Sequence, residues 1–311
     1  MSNDLKVVSW SDLKRDSGIR DRLREAVGSR ERLEGAGWHH VTHASNLVFI
    51  HDNQVIKIFP PSEQGRLACQ TEVQALTYFQ NMGLEVPRLI GKGTYKEGQD
   101  YDYLILSCLK GVEFSEVEGA FTDGDKHCFG GKMRQFVEDL NQHRLALNHL
   151  DFYKRAMATT SWDTCSDTFK AERIDYIKGL KADNLVWVHG DINPCNILLD
   201  KESIQLIDFA DGLMAPKSYE AISVVAYLFA FEGAYLKGFF KNESLEQQVD
   251  LCLEGLLIHE EGPEMIRCNI GIIEDFVTLE DLKDSIRRVL VNGCQADQGL
   301  AYILSLREEP S

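Results

Sequence analysis

Apolar residues recur at helical intervals in the first thirty positions. Leu13, Ile19, Leu23 and Val27 punctuate the polar stretch "SWSDLKRDSGIRDRLREAV", so residues 5–34 read as one helical segment closed by Gly35 and Gly37. The period then changes. "NLVFI" and "QVIKIF" are short runs of β-branched and aromatic residues around the turn signal "HDN", which predicts a hairpin. Pro60 and Pro61 break the second run, and Leu67, Val73, Leu76 and Phe79 restore a helical spacing that Gly83 closes. "VPRLIGKGTYKEGQDYDYLILSCL" predicts two further strands around a turn rich in glycine and acid. Residues 38–109 therefore read β-β-α-β-β.

Beyond "KGVEF" the pattern turns helical over 131–156 and 168–182. Two β-prone runs, "NLVWV" and "IQLIDF", then flank "NILLD". From residue 216 the chain is mostly helical to its end, with loops at "EEGPE" and "NGCQADQG". The organisation expected is a helical extension over 1–37, a small β-rich lobe over 38–109 and a larger helical lobe over 110–311, an α+β protein.

Charge narrows the partners. With 33 Lys and Arg against 49 Asp and Glu, the net charge of −16 argues against nucleic acid or an anionic membrane surface, since no basic block offsets it. The longest apolar run, "AISVVAYLFAF", is too short to span a bilayer, and the first residues carry no secretory pattern, so a cytoplasmic protein is expected. The eight cysteines are scattered without a C-x-x-C pair, which suits buried thiols in a reducing compartment rather than zinc or disulfides.

Five polar residues then align with one chemistry. Lys57 sits inside a strand between Ile56 and Ile58, and Glu72 follows fifteen residues later on a helix. Asp191 and Asn196 share the loop of "WVHGDINPCNILLD", and Asp208 is expected to close a strand in "LIDFADG". Each alone is a weak signal, because strand lysines and helix glutamates usually face solvent. Together they meet the needs of phosphoryl transfer: a lysine for the phosphates, a carboxylate to hold that lysine, an aspartate to take the acceptor's proton, and amide and carboxylate oxygens for Mg²⁺. Their order matches the protein-kinase arrangement.

"VHGDINPCNILLD" followed by "IQLIDFADG" resembles the aminoglycoside phosphotransferase and choline-kinase-like family of small-molecule kinases. "HASNLVFI" with "VIKIF" is similar to that family's nucleotide-loop hairpin, and "DYLILSCLKGVEF" to its hinge strand and glycine. The resemblance covers about residues 38–232 and implies a protein-kinase-like two-lobed fold. It further implies ATP and Mg²⁺ as cofactors and a small-molecule hydroxyl as acceptor, a cationic amine or aminoglycoside-like compound being one candidate. Carried over residue by residue, Asp191 is the catalytic base, Asn196 and Asp208 hold the metal, and Ser45, Asn46, Lys57 and Glu72 serve the phosphates. The backbone of Ser107, Cys108 and Leu109 is expected to meet adenine. Gly190 stands where ordinary protein kinases carry arginine, and no Ala-Pro-Glu segment follows Asp208, so a kinase-fold enzyme modifying proteins is the second reading and a nucleotide-binding pseudokinase the third. His39, His40 and His43 are expected in loops at the surface, with His43 near phosphate, and His189 as a buried orienting residue. The carboxylates of "HEEGPE" and "IIEDF" would suit a cationic acceptor.

Overall fold

The computed structural model describes residues 9–33, 37–42, 44–145, 151–180, 184–201 and 203–293. Two compact units share the chain. Among the described residues, one is built from those up to Gly111 together with Ile207–Asp211, and the other from those of Val112–Leu206 and of Gly212–Gly293.

The first unit opens with α1 (Trp10–Arg15) and α2 (Ser17–Glu31), two helices where the spacing predicted one. Asp16 makes the break. Its N–H still bonds the Asp12 carbonyl, while its side chain accepts from Ile19 N and so caps the second helix. Strands β1 (His39–Val41), β2 (Leu47–His51) and β3 (Gln54–Ile58) follow, then α3 (Glu63–Asn81), β4 (Leu89–Glu97) and β5 (Gln99–Ser107). They form one antiparallel sheet in the order β1-β2-β3-β5-β4. The β2–β3 hairpin turns through Asp52 at φ 49°, and β4 doubles back on β5 through Gly98 at φ 69°. Strand β1 was not anticipated, because three residues are too few to show an alternation.

The pleat sends alternate residues to opposite faces. Leu47, Phe49, Ile56, Ile58, Tyr101, Tyr103 and Ile105 form one core with Leu13, Leu23 and Val27 of the two N-terminal helices. Lys57, lying between Ile56 and Ile58, is thereby turned to the other face. The start of α3 is capped by Ser62, whose hydroxyl accepts from Gly65 N. Gly65 is required there, since a Cβ would lie 2.2 Å from the Pro60 carbonyl oxygen.

The second unit runs β6 (Val112–Glu113), α4 (Phe114–Val117), α5 (Asp123–Asn141), α6 (Phe152–Ala158), α7 (Asp167–Gly179), β7 (Leu185–Val188), β8 (Ile197–Asp200), β9 (Ser203–Leu206) and β10 (Leu213–Pro216). Helices α8 (Lys217–Ser223), α9 (Gly233–Phe239), α10 (Leu245–Ile258), α11 (Gly262–Asn269) and α12 (Leu279–Asn292) complete it. Its strands make a three-stranded sheet, β6-β8-β9, and a two-stranded one, β10-β7. "NILLD" is thus a strand and not a spacer between strands. Phe152, Ala156, Ile177, Val188, Leu213, Ala215, Tyr219 and Ile258 pack into a core that fixes β7 and β10 beside α6 and α8.

Helix α5 starts at Asp123, ahead of the expected 131, on a capping box of Thr122 and Asp125. Gly130 and Gly131 look like breakers in the sequence, yet they lie inside the helix. A Cβ on Gly130 would come within 2.2 Å of the Tyr235 carbonyl oxygen, and one on Gly238 within 2.0 Å of that of His127. Helices α5 and α9 therefore touch backbone to backbone, which only glycine allows. Helical character expected over 146–150 and after 293 lies outside the described residues.

Candidate active site

In the first unit, Lys57 Nζ donates 2.6 Å bonds to Glu72 Oε2 and to Asp208 Oδ1. Lysine and glutamate are buried, at 4% and 1% side-chain exposure, while Asp208 keeps 24%. Burial pulls the Lys57 ammonium down, but the two carboxylates more than offset it and hold the lysine charged. Burial likewise pushes the Glu72 carboxyl up, to about 7, against the pull of Lys57. The trio holds one more carboxyl than ammonium. Glu72 is the hidden anchor and Asp208 the member that solvent or a ligand can reach.

Asp208 does not close a strand. Strand β9 ends at Leu206, and Asp208 sits two residues on with φ 63°, a left-handed conformation costing a non-glycine residue roughly 1–2 kcal/mol. The next residue offsets that strain. Phe209 is fully buried, its ring centroid 5.8 Å from that of Phe79 on α3, while Ala210 N reaches back to Asp208 Oδ1 at 3.4 Å.

Ser45 and Asn46 lie between β1 and β2, with Asn46 buried and its amide 3.5 Å from Ser45 Oγ. Ser107 is the last residue of β5, and Cys108 and Leu109 follow it. Ser107 N bonds Arg88 O at 2.9 Å and Cys108 N bonds Asn53 O at 2.8 Å, so the fold itself uses both N–H groups. Among the described residues no such partner meets the N–H of Leu109.

The second unit carries the loop after β7. His189 is fully buried, its Nδ1 accepting from Asp191 N at 3.3 Å. Gly190 adopts φ 86°, a conformation that an arginine there would hold only under strain. Asn193 organises the rest of the loop. Its Nδ2 donates to Asp191 Oδ1 at 2.9 Å, and its Oδ1 accepts from Cys195 N at 2.9 Å and Asn196 N at 3.2 Å. Asn196 Nδ2 donates to Asp191 Oδ2 at 2.8 Å and to the Asp191 carbonyl at 3.0 Å. With its nitrogen occupied in this way, Asn196 has its amide oxygen for a hard cation. Beneath the loop lies Glu220 of α8, fully buried and accepting from the N–H of His189. Burial pushes its carboxyl up to about 7, with the N–H groups of His189 and Gly190 acting against that rise.

Sequence reasoning passed over Asn193 and Glu220. Both left a signal: an asparagine before proline two residues after the aspartate, and a single carboxylate inside the apolar run "SYEAISVVAYLF". Carboxylates of the two acidic segments have partners within the chain. Glu260 pairs with Arg155 at 2.5 Å, Glu261 accepts from Tyr227 at 2.6 Å, and Arg267 holds Glu274 at 3.3 Å. His39 and His40 are in strand β1 rather than a surface loop. Burial, with Arg20 and Lys14 nearby, lowers His40 to about 4. His43 lies outside the described residues. No cluster of three His, Cys, Asp or Glu side chains that could hold a metal occurs among the described residues.

A lysine bonded to a helix carboxylate and to an aspartate following a strand, in a unit of five antiparallel strands, defines a protein-kinase-like phosphotransferase. The chain belongs to the phosphotransferase enzyme family, whose model matches residues 42–250. Among solved structures it is similar to the GDP complex of a wild-type aminoglycoside 2'-phosphotransferase-IIIa, at 13% identity and TM-score 0.58, over 93% of this chain and 97% of that one. It also resembles amicoumacin kinase in complex with AMP-PNP, Ca²⁺ and Ami, at 12% identity and TM-score 0.55, over 88% and 94%. A choline/ethanolamine kinase family protein from Mesorhizobium loti aligns at 11% identity and TM-score 0.53, over 92% and 98%. At such identities these likenesses establish the fold. No curated protein matches the chain. Among the described residues no helix is long and apolar enough to cross a membrane.

Proposed function

We propose that the chain transfers the γ-phosphate of ATP to a hydroxyl of a small molecule. The observation that carries this is the Lys57 ammonium, buried and bonded at 2.6 Å to both Glu72 and Asp208. Glu72 fixes the lysine so that its remaining donor capacity is aimed at phosphate oxygens. Asp208, as the exposed carboxylate of the trio, and the Asn196 amide oxygen would hold Mg²⁺, which when bound neutralises phosphate charge. Asp191 accepts the proton of the acceptor hydroxyl as the oxygen attacks phosphorus. Its carboxylate is set for this by the two amides of Asn193 and Asn196. The five functional side chains are all present, which weighs against a pseudokinase, and Gly190 weighs against a protein substrate. The seven described cysteines are free thiols, which supports a reducing compartment such as the cytoplasm.

The acceptor class is open to a direct screen. Hydroxylated amines, sugars and antibiotics, each assayed for consumption of ATP and separately of GTP, should give turnover with at least one. Asp191→Asn should then lower that turnover by roughly 10²–10⁴-fold while nucleotide still binds. Wild-type turnover in Asp191→Asn would sink the proposal.

A further inference from the structure

We infer that helix α1 is part of the nucleotide site, with Trp10 and Lys14 as positioning residues that aim the phosphate loop. This rests on the function proposed above. Lys14 Nζ donates to the Ala44 carbonyl at 2.8 Å, and Trp10 Nε1 donates to the Ser45 carbonyl at 3.2 Å. In a trans peptide the C=O and the following N–H point in opposite directions, and the described residues include no cis peptide bond. Drawing the carbonyls of Ala44 and Ser45 toward α1 therefore turns the N–H groups of Ser45 and Asn46 away from it. Among the described residues neither N–H has an intramolecular partner. The clasp thus leaves two adjacent N–H groups on the side away from α1 and removes two carbonyl dipoles from that side, which is the polarity a phosphate requires.

The helix making the clasp is itself fixed. Leu13 is buried in the core with Phe49 and Ile56, Trp10 packs against the same core, and Arg20 Nη1 bonds the Lys14 carbonyl at 2.8 Å. The loop needs such support because "VTHASNL" contains no glycine to adopt a phosphate-cradling turn unaided. Helix α1 lies outside the residues 42–250 that the family model matches.

The test uses the full chain and three variants: Trp10→Phe, which keeps the ring in the core but loses the N–H; Lys14→Met, which keeps the aliphatic stem; and Lys14→Arg, which keeps a donor. Binding of Mg·ATP and of adenosine is measured by calorimetry beside Lys57→Ala. Trp10→Phe and Lys14→Met should each weaken ATP by about tenfold, the size expected for one hydrogen bond, with adenosine unchanged and Lys14→Arg restored toward wild type. In turnover the loss should appear in the KM for ATP and not in kcat. If ATP and adenosine weaken together, or neither does while Lys57→Ala loses ATP, helix α1 only supports the fold and the inference fails. If Lys57→Ala also binds ATP normally, the proposed function fails with it.

Discussion

One ammonium serves two carboxylates at the centre of the first unit, and they are not equivalent. Glu72 is sealed in the core, whereas Asp208 retains access to solvent. Lys57→Ala leaves Glu72 buried without its counter-charge, a change that typically costs several kcal/mol, so it should lower both stability and nucleotide affinity. Asp208→Asn keeps the shape and a bond to Lys57. It should remove the Mg²⁺-dependent part of ATP affinity and little else, which a metal titration of ATP binding can read. Identical Mg²⁺ dependence in wild type and Asp208→Asn would return Asp208 to a structural role. A second prediction concerns Glu220. Its folded pKa of about 7 lies above the ordinary 4.5, so its contribution to stability is fully present below 4.5 and is lost as pH rises through 7. Glu220→Gln should therefore gain in Tm relative to wild type across that window, and parallel melting curves would show that the carboxyl does not titrate there. Lys57, Glu72, Asp191, Asn196 and Asp208 stand out as candidates in the sequence because phosphoryl transfer prescribes residue types in a known order. Asn193 and Glu220 left fainter marks, an asparagine before proline and one carboxylate inside an apolar run, because they act by holding the loop and not by a prescribed order of residue types.

At the scale of elements, what could be read was what repeats. The hairpin of β2 and β3, helix α3 and the β4–β5 pair have runs long enough to show a period of 2 or 3.6. Strand β1 has three residues and owes its state to pairing with Val48, Phe49 and Ile50. The start of α5 was hidden for another reason: Gly130 and Gly131 weaken helix propensity by about 1 kcal/mol each, and only contact with α9 explains them. Gly238→Ala would drive a methyl group into the His127 carbonyl. It should destabilise by about 1–3 kcal/mol, seen as a fall of several degrees in Tm, with little change in the KM for ATP. An unchanged melting temperature would mean that the two helices can separate at no cost.

At the scale of the whole molecule, the net charge of −16 said which partners to discount but not where an acceptor binds. Of the carboxylates in the two acidic segments, Glu260 and Glu261 have partners in Arg155 and Tyr227, 105 and 34 residues away along the chain, which no local pattern announces. Mg·ATP should raise the melting temperature, because a ligand of the native state stabilises by mass action, about 2.7 kcal/mol at a hundredfold excess over Kd. No shift at millimolar Mg·ATP would count against nucleotide binding altogether.

The excursion of Ile207–Asp211 into the first unit has a consequence for the order of synthesis. The bond from Lys57 to Asp208 spans 151 residues. A ribosome making roughly 5–20 residues per second therefore releases the whole five-stranded sheet many seconds before Ile207–Asp211 exist. During that interval Lys57 has only Glu72 as counter-ion, and Phe79 lacks the ring of Phe209. A nascent chain stalled where residues up to Gly111 have just cleared the exit tunnel should be readily cut by protease, and one stalled far enough past Asp211 to free that segment too should resist. This unit matures only after most of the chain has been translated.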